Sequence, residues 1–521
     1  MIRSNPSRTE VEELRTLRTH LRLNAIDWPE FALSAAGLYL RDRKPRRAQA
    51  LMETVSDNQL RPDLKKQYRA LTYEIAANQA DEHKSCSLTM IVRDESDNIT
   101  QCLDTVDAIM DEIVVCDTGS TDDTVSKARM YGATIINRRW ADDFSSARNA
   151  AIDHAHGDWI FWMDADDRLE KQSAHVLQRL WRTEPAQAAA IRVRSLVPGG
   201  GEVEFMQVRL FPRLDSLRFQ RRIHEQIMFA AKRLSVPFSR RPEITIVHTG
   251  YADKQLVYRK SLRNKKLLQR EYERTPADPT LLMNMGDCHL SLGEYTEAYD
   301  CYSAICGRPD NYHRNSDVYV QAHINLAALY MKDKRIKKAT KFFLRSLFLD
   351  PSRIESHLQL GRLYLGQRKT RKAADHFLKA ARLRPPLRLT ASNNTMVRLN
   401  AIWHLAEIYI QAGKHEEAET ILTAAVQAYP RVPRFHTQLG DIYRTRDDYV
   451  RAARHYSHAL HLSETRNQPA YLGMAAVYQH LGDLRSARQF LERGLALHPQ
   501  SVEIKEALQA AVVRQKQLQT A

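Results

Sequence analysis

Nowhere in this 521-residue chain do roughly 18 apolar residues follow one another, the length that suggests a membrane-crossing helix, so no membrane span is expected. The opening Met1-Ile2-Arg3-Ser4-Asn5-Pro6 lacks the apolar core of a secretory leader, and the expected compartment is the cytoplasm. Cysteine is sparse: the six, at 86, 102, 116, 288, 301 and 306, form no CxxC pair. That argues against a zinc ribbon or a disulfide framework and for buried free thiols. No zinc-finger, RNP or P-loop pattern accompanies the net charge of +16, and Lys and Arg are spread along helical patterns. Nucleic acid is therefore not the expected partner. The basic balance reads as a solvated surface that also suits attraction of a phosphate-bearing molecule.

A chain of this length holds several domains. Residues 1–85 read as helices: Ala32, Ala36, Tyr39 and Leu40 share one face, Ala48, Leu51, Met52 and Val55 the next, and a third amphipathic run covers Leu64 to Ala77. The nine-residue step from Tyr39 to Ala48 suggests a repeat-like cap. At Cys86 the pattern changes to short apolar runs alternating with helical stretches. Strands are expected at Ser87–Val92, Glu112–Cys116 and Ala133–Asn137, and helices at Ile99–Met110, Val125–Tyr131 and Phe144–His154. Such alternation argues for a mostly parallel α/β sheet. Further strands are expected at Ala190–Arg194 and Gln207–Phe211, with Pro198-Gly199-Gly200-Gly201 as the turn between them, and Ile244–Tyr251 closes the domain.

The segment Gly157-Asp158-Trp159-Ile160-Phe161-Trp162-Met163-Asp164-Ala165-Asp166-Asp167 holds the most chemistry. It reads as an interior strand ending in three carboxylates, at the strand end where open α/β sheets bind ligands. Asp164 and Asp166, two apart, can both reach one hard cation or a sugar-nucleotide head. A plain acidic turn after a strand is the competing reading.

From about residue 256 to 515 the chain repeats. Leu326-Ala327, Tyr330, Ala339, Phe343 and Pro351 return as Leu360-Gly361, Tyr364, Ala373, Phe377 and Pro385. Leu405-Ala406, Leu439-Gly440 and Met474-Ala475 head further copies, and Met285-Gly286 a weaker first one. The 34-residue step from Ala327 to Gly361 and from Ala406 to Gly440 is the tetratricopeptide period. About eleven extra residues, marked by Pro385-Pro386 and Asn393-Asn394, interrupt it. The aromatic stripe is core rather than a cofactor box.

Four blocks carry a resemblance: Arg93-Asp94-Glu95 after the first strand; Cys116-Asp117-Thr118-Gly119-Ser120-Thr121-Asp122; Asp142-Asp143-Phe144-Ser145-Ser146-Ala147-Arg148-Asn149; and the acidic strand. Residues 86 to about 250 resemble a family 2 glycosyltransferase domain of the GT-A fold. They are similar to a bacterial branch that includes bacteriocin S-glycosyltransferases and other peptide- or protein-modifying enzymes, often with tetratricopeptide repeats attached. The fold expected is thus an α/β GT-A domain (86–255) between an N-terminal helical segment (1–85) and a C-terminal all-α solenoid (256–515).

The resemblance implies an inverting hexosyl- or N-acetylhexosaminyl-transferase using a nucleotide-sugar donor, UDP-linked, and a divalent cation, Mg²⁺ or Mn²⁺. It implies that Asp164 and Asp166 bind the donor, with Asp166 the main metal ligand. Asp117 is a donor contact or a cap, and Arg148 a support of the nucleotide pocket or a salt-bridge partner. Arg93 and Asp94 line the base. Glu225 is the candidate catalytic base, or a Glu on an exposed hairpin. His248 is a candidate metal ligand or a hydrogen-bonded core histidine, with His224 the competing ligand. The expected acceptor is a protein or peptide presented by the repeats. A cell-envelope glycan acceptor and a non-enzymatic scaffold are the alternatives.

Overall fold

A computed structural model describes the chain except residues 1–7, 24, 57–59, 79–83, 198–200, 251–253, 389, 465 and 521. The opening hexapeptide, Pro198, Gly199 and Gly200 of the expected turn, and Tyr251 therefore lie outside the described residues. The chain divides into two compact units: residues 1–329 with 386–393, and residues 330–385 with 394–521.

The first unit is organised on one eight-stranded sheet: β1 Cys86–Val92, β2 Glu112–Asp117, β3 Ala133–Asn137, β4 Trp159–Trp162, β5 Asp167–Leu169, β6 Ala188–Val197, β7 Gly201–Pro212 and β8 Phe238–His248. Its order is β3-β2-β1-β4-β7-β6-β8-β5. β1, β2, β3 and β4 are parallel, β4–β7, β7–β6 and β5–β8 antiparallel, and β6–β8 parallel. The order turns back at β1, whose neighbours are β2 and β4, and a crevice forms at the C-terminal strand ends there. β5 lies four strands from β4, about 19 Å along a flat sheet. The chain from Trp162 to Asp167 spans at most about 17 Å. The far half of the sheet must therefore curl back, which makes its surface concave.

Residues alternate across the strands as a doubly covered sheet requires. Leu88, Met90, Ile113, Val115, Trp159 and Phe161 face one core; Val114, Cys116, Ile160 and Trp162 face the other. The first core is covered by α1 Arg8–Arg22, α2 Trp28–Arg41, α3 Pro45–Met52 and α4 Pro62–Asn78, whose Phe31, Tyr39 and Leu51 are fully buried in it. Polar atoms tie the same contact. Arg18 and Arg47 both reach the Asp107 carboxylate, the former at 2.8 Å, and Arg47 Nη1 and Nε donate to the carbonyls of Asp107 and Tyr131 at 2.8 and 2.9 Å. The second core is covered by α7 Phe144–Asp153 and α9 Met228–Arg233. Between these lie α5 Ile99–Leu103, α6 Thr124–Arg129 and α8 Ser173–Thr183, and α10 Lys254–Tyr272 follows the sheet. The helix expected over Ile99–Met110 is helical only to Leu103; turns follow, yet Val106, Ile109 and Met110 stay buried.

Helical pairs form the rest. Pro279–Leu292 with Tyr295–Cys306 belongs to the first unit. In the second, Ile354–Gly366 pairs with Thr370–Arg382, Asn394–Gln411 with His415–Ala428, Pro433–Thr445 with Tyr449–Leu462, and Gln468–His480 with Leu484–Leu497. Where the small residue of a repeat is glycine, it has a steric cause. A Cβ on Gly361 would stand 2.5 Å from the Phe377 ring, and one on Gly440 2.6 Å from the Tyr456 ring. The eleven-residue insertion also has a structural use. Glu204 of β7 exchanges backbone hydrogen bonds with Ser392 at 2.9 and 3.0 Å, and Met206 N donates to the Arg388 carbonyl at 2.6 Å. Among the described residues no helix is long and apolar enough to cross a membrane.

Candidate functional site

β4 ends at Trp162, and the chain turns through Met163–Asp166 into β5. The turn is closed by Asp164 N donating to Asp167 Oδ2 (2.9 Å) and Asp167 N donating to the Asp164 carbonyl (3.0 Å). β5 pairs with the end of β8 so that Asp167 stands opposite His248. Asp164, Asp166, Asp167 and His248 thereby converge, with ligating atoms all within 4.8 Å of one another. Asp166 is anchored through its carbonyl, which accepts from Thr249 N and Oγ1, both at 3.0 Å.

The three carboxylates have different surroundings. Asp167 is fully buried and accepts from Arg209 Nη1 at 2.8 Å and contacts His248 Nδ1 at 2.9 Å. Burial alone would raise the Asp164 carboxyl, but Arg148 Nη2 at 2.7 Å and Arg209 outweigh it and hold the group well below the usual carboxylate range. Asp166 goes the other way. Burial raises it, and the Asp164 and Asp167 charges add to that against the opposing His248. Burial opposes a charged His248, yet its hydrogen bond to Asp167 and the nearby Asp166 win and raise it. Asp166 is thus the carboxylate whose charge the protein itself compensates least, and a carboxylate so placed is suited to a cation.

A cavity of about 420 Å³ opens above this cluster, lined by Asp164, Asp166 and His248 together with Arg93, Glu95, Thr118, Arg148, Glu225 and residues of α10. Arg148 is nearly buried and joins two of the expected residues, donating from Nη2 to Asp164 and from Nε to Glu225 at 2.6 Å. Its guanidinium lies 4.0 Å from the centre of the Trp162 ring, and that of Arg209 3.7 Å. Arg148 Nη1 is buried without a hydrogen-bond partner among the described residues, an orphan donor beside the cavity.

The Phe144–Asn149 block has a direct physical role. Phe144 N donates to the Arg222 carbonyl at 2.8 Å and Ser145 Oγ to that of Arg221. Asn149 exchanges two hydrogen bonds with the Phe219 backbone, at 2.9 and 3.0 Å. These bonds hold the loop that carries His224 and Glu225. On its other side Ile223 packs against Leu267, Leu281 and Met285, and Arg221 pairs with Asp278.

Asp94 and Asp117 lie outside the cavity lining. Asp94 accepts from Thr121 N at 2.7 Å and Oγ1 at 3.1 Å; Asp117 accepts from Gly119 N, Ser120 N and Ser120 Oγ. They shape the two loops from which Arg93, Glu95 and Thr118 reach the cavity. Arg93 and His224 are exposed and line it, Arg93 lying 3.8 Å from Asp94.

The glycosyl transferase family 2 profile matches residues 87–236, the stretch that supplies β1 to β7 and the acidic turn. Residues 87–236 are a family 2 glycosyltransferase domain. Two tetratricopeptide repeat profiles match residues 405–471 and 444–512, inside the helical array. A TPR repeat-containing protein of Synechococcus elongatus is 34% identical over 219 residues, 41% of this chain and 54% of that protein. The SPbeta prophage-derived glycosyltransferase SunS of Bacillus subtilis is 28% identical over 231 residues, 43% of this chain and 54% of SunS. The chain thus spans about half the length of these curated relatives. Among solved structures, a thermophilic TPR protein of Thermus thermophilus aligns with 37% of this chain and 99% of its own at 20% identity and a TM-score of 0.29.

Two residues of the site, Arg209 and Gly250, lie outside the motif blocks, and a third, Glu95, sits in a block with no role assigned to it there. Arg209 lies inside an otherwise apolar strand segment, and a charge in such a run is a usable warning. Glu95 lines the cavity, and burial, then the Asp166 and Asp164 charges, raise its carboxyl despite the hydrogen bond from Asn98. Gly250 is required by contact: a Cβ there would overlap the Asp166 carboxylate and stand 3.0 Å from His248 Nε2. Gly250→Ala is expected to leave the fold intact and displace Asp166, lowering transfer at least about tenfold, the effect of roughly 1.4 kcal/mol at the barrier. Unchanged initial rates with an unshifted circular-dichroism melt would show that the close approach has no catalytic meaning.

Proposed function

We propose that the protein is a metal-dependent, inverting glycosyltransferase that moves a sugar from a UDP-linked donor to a polypeptide acceptor in the cytoplasm. The convergence of Asp164, Asp166 and His248 on one cavity at the β4 end carries this reading. Residues 86–255 act as the catalytic domain, with 1–85 and 256–515 as flanking helical segments. The acceptor assignment draws on the repeat array, whose class of fold presents extended concave surfaces to peptides.

The donor set fits a hard divalent ion, with carboxylate oxygens as the main ligands. Asp166 would be the principal ligand, with Asp164 and His248 beside it. His248 Nδ1 faces Asp167, so the ring nitrogen that His248 would offer an ion is Nε2, as in a carboxylate–histidine arrangement. Bound Mg²⁺ or Mn²⁺ would neutralise the diphosphate.

In the reaction the acceptor hydroxyl or thiol attacks the anomeric carbon. The bond from that carbon to the β-phosphate oxygen breaks, and its electron pair leaves on the phosphate. Glu225 takes the acceptor proton. Glu225 is hydrogen-bonded by Arg148, and its position, at the cavity wall on a doubly anchored loop, is what favours it. Asp94 and Asp117 support the nucleotide through the loops they shape, and Arg93 contacts the base. Calorimetric titration of the full chain with UDP tests the donor site. Binding is expected in Mn²⁺ and is expected to weaken at least about tenfold in EDTA. No UDP binding in either buffer would remove the donor assignment.

A further inference from the structure

The cavity has a wall that the family 2 match does not reach. α10 begins 18 residues beyond residue 236, and its Lys260, Arg263 and Asn264 line the cavity together with Arg148 and Glu225. Lys260 Nζ is tethered by donating to the Gly250 carbonyl at 3.1 Å and stands 3.9 Å from Asp166 Oδ2. Arg263 is held over the Phe144 ring at 5.1 Å.

The helix sequence explains how these cations come to be there. Positions 260, 263, 264, 267, 268 and 271 fall on one face of a 3.6-residue helix. Leu267 and Leu268 on that stripe are buried against Leu281 and Met285 of the first repeat pair. One turn earlier the same stripe becomes Lys260, Arg263 and Asn264, where a purely structural face would continue apolar. Of the nineteen residues of α10, seven are Lys or Arg and one is acidic. The helix thus brings positive charge to the edge of a cavity whose floor is carboxylate.

We propose that Lys260, assisted by Arg263, binds the terminal phosphate of the nucleoside diphosphate and holds the charge that gathers there as the sugar departs. This deepens the donor-site reading above and rests on it. When the anomeric carbon–oxygen bond breaks, the electron pair remains on the β-phosphate oxygen, and the Lys260 ammonium hydrogen-bonds to that phosphate without giving up its proton. A charge-assisted contact to phosphate of this kind needs a cation beside the metal ligands, and Lys260 next to Asp166 meets that demand.

The test is titration of the full chain in Mn²⁺ with UDP and with UMP, which lacks the terminal phosphate. Lys260→Met is expected to weaken UDP binding about tenfold or more while changing UMP binding less than about twofold, and Lys260→Arg to restore most of the UDP affinity. Arg263→Met, on an exposed side chain, is expected to show the same selectivity to a smaller degree. If Lys260→Met binds UDP as wild type does, the proposal is wrong while the donor site stands. Equal losses for UDP and UMP would mean that Lys260 only balances Asp166 or supports the fold, and would also overturn it. If the wild-type chain binds neither nucleotide, this assignment and the donor reading fall together.

Discussion

Replacing Asp166 by Asn is expected to lower sugar transfer on the order of a thousandfold or more without lowering the melting temperature. The two halves of that expectation have one cause. Asp166 is half-buried close to Asp164 and Asp167, and desolvation and those charges raise its carboxyl while His248 only partly compensates. In the metal-free protein its ionised form is therefore a burden on the fold, and Asn removes the charge while keeping the shape. In the proposed mechanism the same charge would be an asset, since a cation held chiefly there would supply several kcal/mol of transition-state stabilisation. A loss of about 4 kcal/mol at the barrier corresponds to about a thousandfold. Site-bound strain of this kind often trades stability for activity. Transfer measured by mass spectrometry of the acceptor, beside a thermal melt in EDTA, checks both halves. Wild-type turnover by the variant would remove Asp166 from the mechanism.

Asp107→Ala is expected to destabilise the first unit by about 3–5 kcal/mol, the cost of leaving buried guanidinium groups without their counter-charge. Arg47 is fully buried and Arg18 nearly so, and both reach Asp107 from α3 and α1. Each also stacks on a tyrosine, Arg18 over Tyr131 at 3.6 Å and Arg47 over Tyr39 at 4.0 Å, so neither can swing out to water without opening the core. The pH dependence follows from the same network. Burial alone would raise the Asp107 carboxyl, but Arg18 and Arg47 outweigh it and hold it well below the usual range. A carboxyl depressed on folding adds stability that is fully present above its unfolded value near about pH 4, and that is lost progressively as pH falls below it. Wild type should therefore lose stability to denaturant steeply below about pH 4, and Asp107→Ala less steeply. Parallel pH profiles for the two chains would mean that the network contributes nothing through its charge.

The parts of this molecule legible in sequence are those written in short-range pattern. β1, β2, β3 and β4 are compact apolar runs, the carboxylates after Trp162 sit within four residues, and the repeats restate one spacing. What escaped depends on distant partners. Ile99–Met110 has helical spacing throughout, but past Leu103 the chain makes turns, and the buried Asp107 carboxylate answers to arginines 60 and 89 residues earlier. Glu225 stood out beside His224, yet its partner Arg148 lies 77 residues before it. Asp94 and Asp117 belong to recognisable blocks; only their hydrogen bonds show that they brace loops while Glu95 and Thr118 reach the cavity. Gly250 has no local signal at all, since its meaning is the carboxylate it leaves room for.

The break in the repeat spacing carries one more consequence. Beyond its short pairing with β4 at residues 210–212, β7 would offer a row of bare amides and carbonyls, an invitation for strands of other molecules to add on. Arg388 and Ser392 occupy Met206 and Glu204 instead. A helical array trimmed to a uniform period would look tidier and would uncap that edge, so the irregular stretch acts as a built-in guard against intermolecular β-pairing.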